Sequence, residues 1–194
     1  MANMVRFGLK NVHYAVYDES DYGTVTPLAG AVSMTTTPEG DSYTFYADDV
    51  AFYVTETNNG YSGTLTVAAV NDKFLQDVLG YQKDATSGLT YETTDTVIPS
   101  VALMYEVGGN TERQRGILYN VTFSRLEGEN NTRSDSTEPD TVTLNFTAIG
   151  RDFTVGGSVK NVVKAHCSDS DVTHDAYDAF FDEVVKPGTA VSGV

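Results

Sequence analysis

The pattern of apolar residues predicts a mainly β domain: a β-sandwich or open barrel flanked by one short α-helix at about residues 71–80, with a second helix at about 174–186. Three observations carry this reading. Alternation with a period of two recurs along most of the chain and is clearest at 141–148, where Val142, Leu144, Phe146 and Ala148 alternate with Thr141, Thr143, Asn145 and Thr147; such a strand rests one face on a core. In TLTVAAVNDKFLQDVLG, residues 64–80, the period switches from that of a strand to that of a helix. Near the C-terminus, Tyr177, Phe180, Phe181, Val184 and Val185 recur at i, i+3, i+4, i+7 and i+8, the stripe of an amphipathic helix.

In chain order, Val12, Tyr14 and Val16 form the first clear strand, before the turn-like DESDYG at 18–23. Residues 1–10 show no period and read as loose. Val32, Met34 and Thr36 share one parity in a run that stops at Pro38-Glu39-Gly40. Tyr43, Phe45 and Ala47, then Asp48-Asp49, then Val50, Phe52 and Val54 complete what reads as two hairpins back to back, and polar TETNNGYSG at 55–63 leads into the strand of Leu65 and Val67.

Asn71 can cap the following helix with its side-chain oxygen, Asp72 suits the positive end of its dipole, and Gly80 can take the left-handed conformation that ends it. A helix of about eight residues is marginal alone, so Phe74, Leu75, Val78 and Leu79 must pack on a sheet. The loop QKDATSG and a short strand at Leu89, Tyr91 and Thr93 follow. Val97 to Val107 is apolar on both parities, which predicts a strand covered on both faces, one of them by the helix. After the Gly108-Gly109-Asn110 turn, Ile117, Tyr119, Val121 and Phe123 occupy one parity. LEGENNTRSDSTEPD, 126–140, carries almost nothing apolar and reads as a mobile polar arm. Thr173 is positioned to cap the C-terminal helix, which Lys186-Pro187-Gly188 ends. One domain over 1–194, with no linker or internal repeat, accounts for the whole pattern.

The formal charge is −15, from 27 acids against 12 bases. This opposes a protein that grips nucleic acid, since phosphates must be met by a basic stripe. No run approaches the roughly 20 apolar residues of a membrane span, and MANMVRFGLK lacks the apolar core of a signal peptide, so synthesis in a cytoplasm without membrane binding is expected. Cys167 is the only cysteine, which rules out an intrachain disulfide and agrees with that compartment.

Candidate chemistry is sparse. His166, Cys167, Asp169, Asp171 and His174 have the donor types of a metal site, but their spacing matches no zinc pattern. His13 is isolated from them. Asp169-Ser-Asp171-Val-Thr173 has the DxDxT form of an aspartyl phosphatase nucleophile, a motif that belongs after a buried strand of an α/β sheet rather than late in a strand-rich chain. Neither Gly108-Gly109 nor Gly156-Gly157 leads into a Lys-Ser phosphate loop. Tyr43, Phe45, Tyr46, Phe52 and Tyr53 could stack on bases, yet no Lys or Arg accompanies them, and packing is the simpler use. The expectation is no catalysis, no metal and no cofactor.

The ordered set GLKNVHYAVYD (8–18), LAGAVSM (28–34), YADDV (46–50), GTLTVAAVNDKFLQDVLGY (63–81), VALMYEVGG (101–109), RQRGILYNVTFSR (113–125) and STEPDTVTLNFTA (136–148) resembles the major tail proteins of bacteriophages with long non-contractile tails. The resemblance runs over most of the chain and is least distinctive in the C-terminal 40 or so residues. It implies a β-sandwich flanked by a helix, and subunits that assemble as six-membered rings stacked into a virion tube. It further implies tape-measure, tail-terminator and tail-tip proteins as partners, with DNA as a cargo that does not adhere. Ring closure would also give every open strand edge a neighbour. On this reading Glu39, Asp41, Asp48, Asp49 and Glu56, at the ends of the tyrosine-rich hairpins, are candidates to face the lumen. Glu127, Asn130, Arg133, Asp135 and Glu138 belong to a candidate inter-subunit arm. The alternative is a carbohydrate-binding or adhesin-like β-sandwich whose exposed tyrosines stack on sugars.

Overall fold

The computed structural model of the chain describes residues 6–109, 112–127, 140–171 and 175–191, with side chains from residue 8 onward. The strands are β1 (Arg6–Val16), β2 (Thr26–Pro27), β3 (Ala31–Glu39), β4 (Ser42–Ala47), β5 (Val50–Glu56) and β6 (Gly60–Val67), followed by helix α1 (Asp72–Leu79). Then come β7 (Gln82–Lys83), β8 (Thr90–Tyr91), β9 (Val101–Gly109), β10 (Gln114–Phe123), β11 (Val142–Ile149), β12 (Arg151–Val155), β13 (Ser158–Val162), β14 (Lys164–Ser168) and helix α2 (Asp175–Asp178).

The main sheet is antiparallel and eight-stranded, in the order β2-β1-β9-β10-β11-β6-β3. One edge of β10 is shared: β14 pairs with its first half, Gln114 to Leu118, and β11 with its second, Asn120 to Phe123. β3, at the far end of the order, also contacts β1, so the sheet curls toward closure around its inner face. The mainly β class with two short helices is therefore the fold observed.

Tyr14, Leu65, Leu103, Phe123, Leu144 and Phe146 fill the inner face, and Phe74, Val78 and Leu79 of α1 pack among them. Asn71 Oδ1 accepts from the Phe74 amide at 2.8 Å, and Gly80 ends the helix at φ 71°. There the Tyr81 amide donates to the Leu75 carbonyl at 3.0 Å, the six-to-one bond of a Schellman cap. A Cβ at Gly80 would also lie 2.4 Å from Thr96 Cγ2, so only glycine fits. The Phe74 ring meets Tyr14 and Phe123 edge-on, with centroids at 5.3 and 5.6 Å. On the outer face Ala102, Met104, Ile117 and Tyr119 form a second layer, covered by Phe180 and Val184. The centre of β9 is thus buried on both sides, as its apolar parities require.

The structure corrects the sequence reading at several points. Residues 6–10 are part of β1, paired with β9; register shifts after Phe7 and after Lys10 erase the side-chain period that would have revealed the strand. β9 starts at Val101, and Val97 is 85% exposed. Pro99, which has no amide hydrogen, precedes the strand rather than interrupting it. In β3 an irregularity between Ala31 and Ser33 turns Val32 outward, so it does not share a face with Met34. In β10 a shift between Leu118 and Val121 reverses the phase: Ile117 and Tyr119 face the outer layer, whereas Val121 and Phe123 face the inner core.

The C-terminal helix expected at about 174–186 is reduced to α2, Asp175–Asp178, and its proposed cap Thr173 lies outside the described residues. Turns closed by the Asp182 and Glu183 amides on the Ala179 carbonyl replace further helix. Asp182 and Glu183 would sit near the negative end of a longer helix, which opposes its extension. The apolar stripe still packs, because Phe180 and Val184 reach the outer layer from this irregular segment and Tyr119 Oη donates to the Val185 carbonyl at 2.9 Å. The hairpin β12–β13 and strand β14 were not anticipated, although Gly156-Gly157 at φ 59° and 78° between two alternating runs is a hairpin signal.

Candidate functional site

Residues 31–67 form one long two-stranded ribbon rather than two hairpins. β3 pairs with β6 in the main sheet, and beyond a joint the same two chain segments continue as β4 paired with β5. The joint is held by the Asn59 amide on the Glu39 carbonyl at 2.8 Å and the Thr57 amide on the Asp41 carbonyl at 3.0 Å. Thr57 Oγ1 also accepts from the Asp41 amide at 2.9 Å. Gly40 is needed here, since a Cβ would lie 2.0 Å from the Thr57 carbonyl oxygen.

Among the described residues the distal half, β4–β5, pairs only with itself. It ends in the two-residue turn Asp48-Asp49, with φ 51° and 62°, the left-handed pair of a type I′ turn. Aspartate tolerates that backbone better than most residues. Tyr43, Phe45 and Tyr53 share one face of the ribbon and Tyr46 and Val54 the other, with Phe52 at an irregularity between them. All are exposed, Phe52 at 74% and Tyr46 at 66%. An isolated two-stranded hairpin is marginal in water, and one with large apolar side chains on both faces calls for a partner.

The five candidate lumenal acids fall into two groups on this ribbon. Glu39, Asp41 and Glu56 surround the joint with Pro38, Thr57 and Tyr61. Asp48 and Asp49 form the tip, about 20 Å away at about 3.3 Å per strand residue. Glu39 accepts from Ser62 Oγ at 2.5 Å. Of the candidate arm, Glu127 is exposed at the edge of the described residues, and Asn130, Arg133, Asp135 and Glu138 lie outside them.

The chemical candidates are not brought together. Asp169 accepts from the Arg113 amide at 3.0 Å and from Arg113 Nε at 2.9 Å, which hold its carboxyl below the usual range. Asp171 accepts from the Ser168 amide at 2.8 Å. His166 and Cys167 are consecutive on β14 and so point to opposite faces. Burial pushes the Cys167 thiol up to about 11, away from reactive thiolate character. Among the described residues no group of three or more His, Cys, Asp or Glu side chains is placed to hold a metal ion, and His174 lies outside them. No described helix is long and apolar enough to cross a membrane.

Among the described residues one carboxylate is deeply buried, and the sequence pattern does not single it out. Glu106, 2% exposed, lies directly across from Arg115 and receives Arg115 Nε at 3.1 Å, Lys10 Nζ at 3.1 Å and Asn11 Nδ2 at 3.3 Å. Burial raises its carboxyl, but these donors outweigh it and hold the group below the usual range. The Arg115 guanidinium also donates to the Tyr177 carbonyl and stacks 3.9 Å over the Tyr177 ring. The arrangement ties β1, β9, β10 and the C-terminal segment together, so it is a structural clamp. Compared with known families and curated proteins, the chain matches no family model and no curated sequence.

Proposed function

We propose that this chain is a structural virion protein: a subunit that assembles with copies of itself into six-membered rings, stacked as the tail tube of a long-tailed bacteriophage. The observation that carries self-assembly is the β4–β5 ribbon, whose Tyr43, Phe45, Tyr46, Phe52 and Tyr53 are all exposed. The resemblance of the ordered sequence stretches supports the ring and tube, and with them tape-measure, tail-terminator and tail-tip partners. Synthesis would take place in the host cytoplasm. The subunit works without catalysis or cofactor, and the acidic surface lets DNA pass without adhering.

The carbohydrate-binding alternative uses the same tyrosines. Stacking on a sugar covers one aromatic face, whereas the ribbon presents apolar groups on both, which favours burial between protein surfaces. Electron microscopy and light scattering of concentrated protein test the proposal. Rings or tubes are expected; a chain that stays monomeric at every concentration and is retained on polysaccharide resin would establish the alternative.

A further inference from the structure

In a chain of charge −15, cations left free to meet another acidic copy are scarce. Lys10, Lys73, Lys83, Arg113, Arg115, Arg125 and Lys186 are each paired with a carboxylate of their own chain. Arg151 lies over the Tyr17 ring and donates to Ser100 Oγ. Among the bases whose side chains are described, that leaves Lys160 and Lys164, four residues apart on the β13–β14 segment. Lys164 borders a cavity of about 250 Å³ lined by Tyr105, Gln114, Gly116, Ala165 and His166, with no carboxylate among the described residues of its wall. The ammonium sits 4.2 Å from the centre of the Tyr61 ring. Tyr61 belongs to the joint at the foot of the ribbon. Glu39, the acid nearest Tyr61 in the strand register, turns its carboxylate to Ser62, on the opposite face of β6.

We propose that the acidic turn Asp48-Asp49 of one copy docks at this cavity on a second copy, with Lys164 as the receiving cation. This rests on the self-assembly reading above and names the two surfaces that meet. The turn has free charge, exposed position and apolar neighbours in Tyr46 and Val50, while the cavity has the complementary charge and aromatic walls. The tip ends the β4–β5 hairpin, whereas the cavity lies on β9, β10 and β14, beside the joint where Tyr61 sits. The tip and the cavity are different surfaces, so the contact is heterologous and can repeat from copy to copy along a tube.

Two variants with one defective surface each test it: Lys164→Glu in the cavity, and Asp48→Asn with Asp49→Asn at the tip. Lys164 is exposed and asparagine tolerates left-handed backbone, so both keep the fold, which circular dichroism checks. Each alone is expected to need at least about tenfold more protein to stack, as lost interfacial charge pairs generally weaken assembly. Mixed together they retain one intact tip and one intact cavity, so they should form assemblies one docking step deep and stop there. If Lys164→Glu misfolds, Lys164→Gln replaces it, with the same expected direction. Stacking of the cavity variant at the wild-type concentration, or a mixture that fails to associate, would overturn this docking while leaving assembly itself standing. A wild-type chain that stays monomeric would overturn both.

Discussion

Arg115 and Glu106 occupy directly opposed positions on β10 and β9, and the 3.1 Å contact between Arg115 Nε and Glu106 Oε2 sits where the carboxylate is 2% exposed. Lys10 brings β1 to the same carboxylate, and the stacking of Arg115 on Tyr177 brings the C-terminal segment. A buried charge with this many partners adds little over an apolar pair but is costly to break.

Glu106→Ala should therefore lower stability by about 3 to 5 kcal/mol in urea denaturation at neutral pH, because Arg115 loses its buried counter-charge. The pH dependence has a definite sign. The folded-state carboxyl lies below its ordinary 4.5, so its contribution is present above that pH and is lost as pH falls through the folded value. Wild-type stability should fall on acidification below about pH 4.5, and the variant should fall less steeply. Equal acid slopes in the two proteins would remove Glu106 from the account.

Leu79, 2% exposed at the end of α1, packs into the inner core with Val101 and Leu103. Leu79→Ala is expected to cost about 2 to 5 kcal/mol as a core truncation. A denaturation midpoint that moved by less than the equivalent of about 0.5 kcal/mol would contradict the packing.

Phe52 contributes to no core cluster and is 74% exposed. Phe52→Ser should leave the stability of the monomer within about 0.5 kcal/mol while suppressing self-association in light scattering. Tubes assembling normally from this variant would take the ribbon out of the interface.

The Asp169 carboxylate is occupied by Arg113. With magnesium and an aryl phosphate the protein should show no turnover, and Asp169→Asn should fold and assemble as the wild type does. Turnover that vanished in that variant would revive a phosphatase.

The docking proposal uses Asp48 and Asp49 at the contact and leaves Glu39, Asp41 and Glu56 as the lumenal candidates. Replacing these three by lysine should permit tubes but make them bind duplex DNA in a salt-dependent way, since DNA carries one charge per roughly 1.7 Å. Genome ejection at an unchanged rate in low salt would reduce the acidity to a solubility device.

Local chemistry made α1 legible in the sequence: Asn71, Phe74 and Gly80 lie within ten residues and define both caps without help from elsewhere. The core face of β11 was equally legible, because no irregularity interrupts its alternation between Leu144 and Ala148. Tertiary structure decided what depends on a distant partner. The phase reversal in β10 exists only in its register with β9, and the strand at 6–10 exists because β9 supplies its hydrogen bonds. The stripe from Tyr177 to Val185 fixed burial but not helix, since covering the outer layer needs side chains at the right places, whatever backbone delivers them. The sequence left the aromatics of the ribbon open between core and interface, because aromatic alternation is the same in both; that their side chains are exposed in the single chain was decided by the tertiary structure. Lys164 carries no sequence signal at all: that it has no carboxylate partner among the described residues depends on where the fold places the other charges.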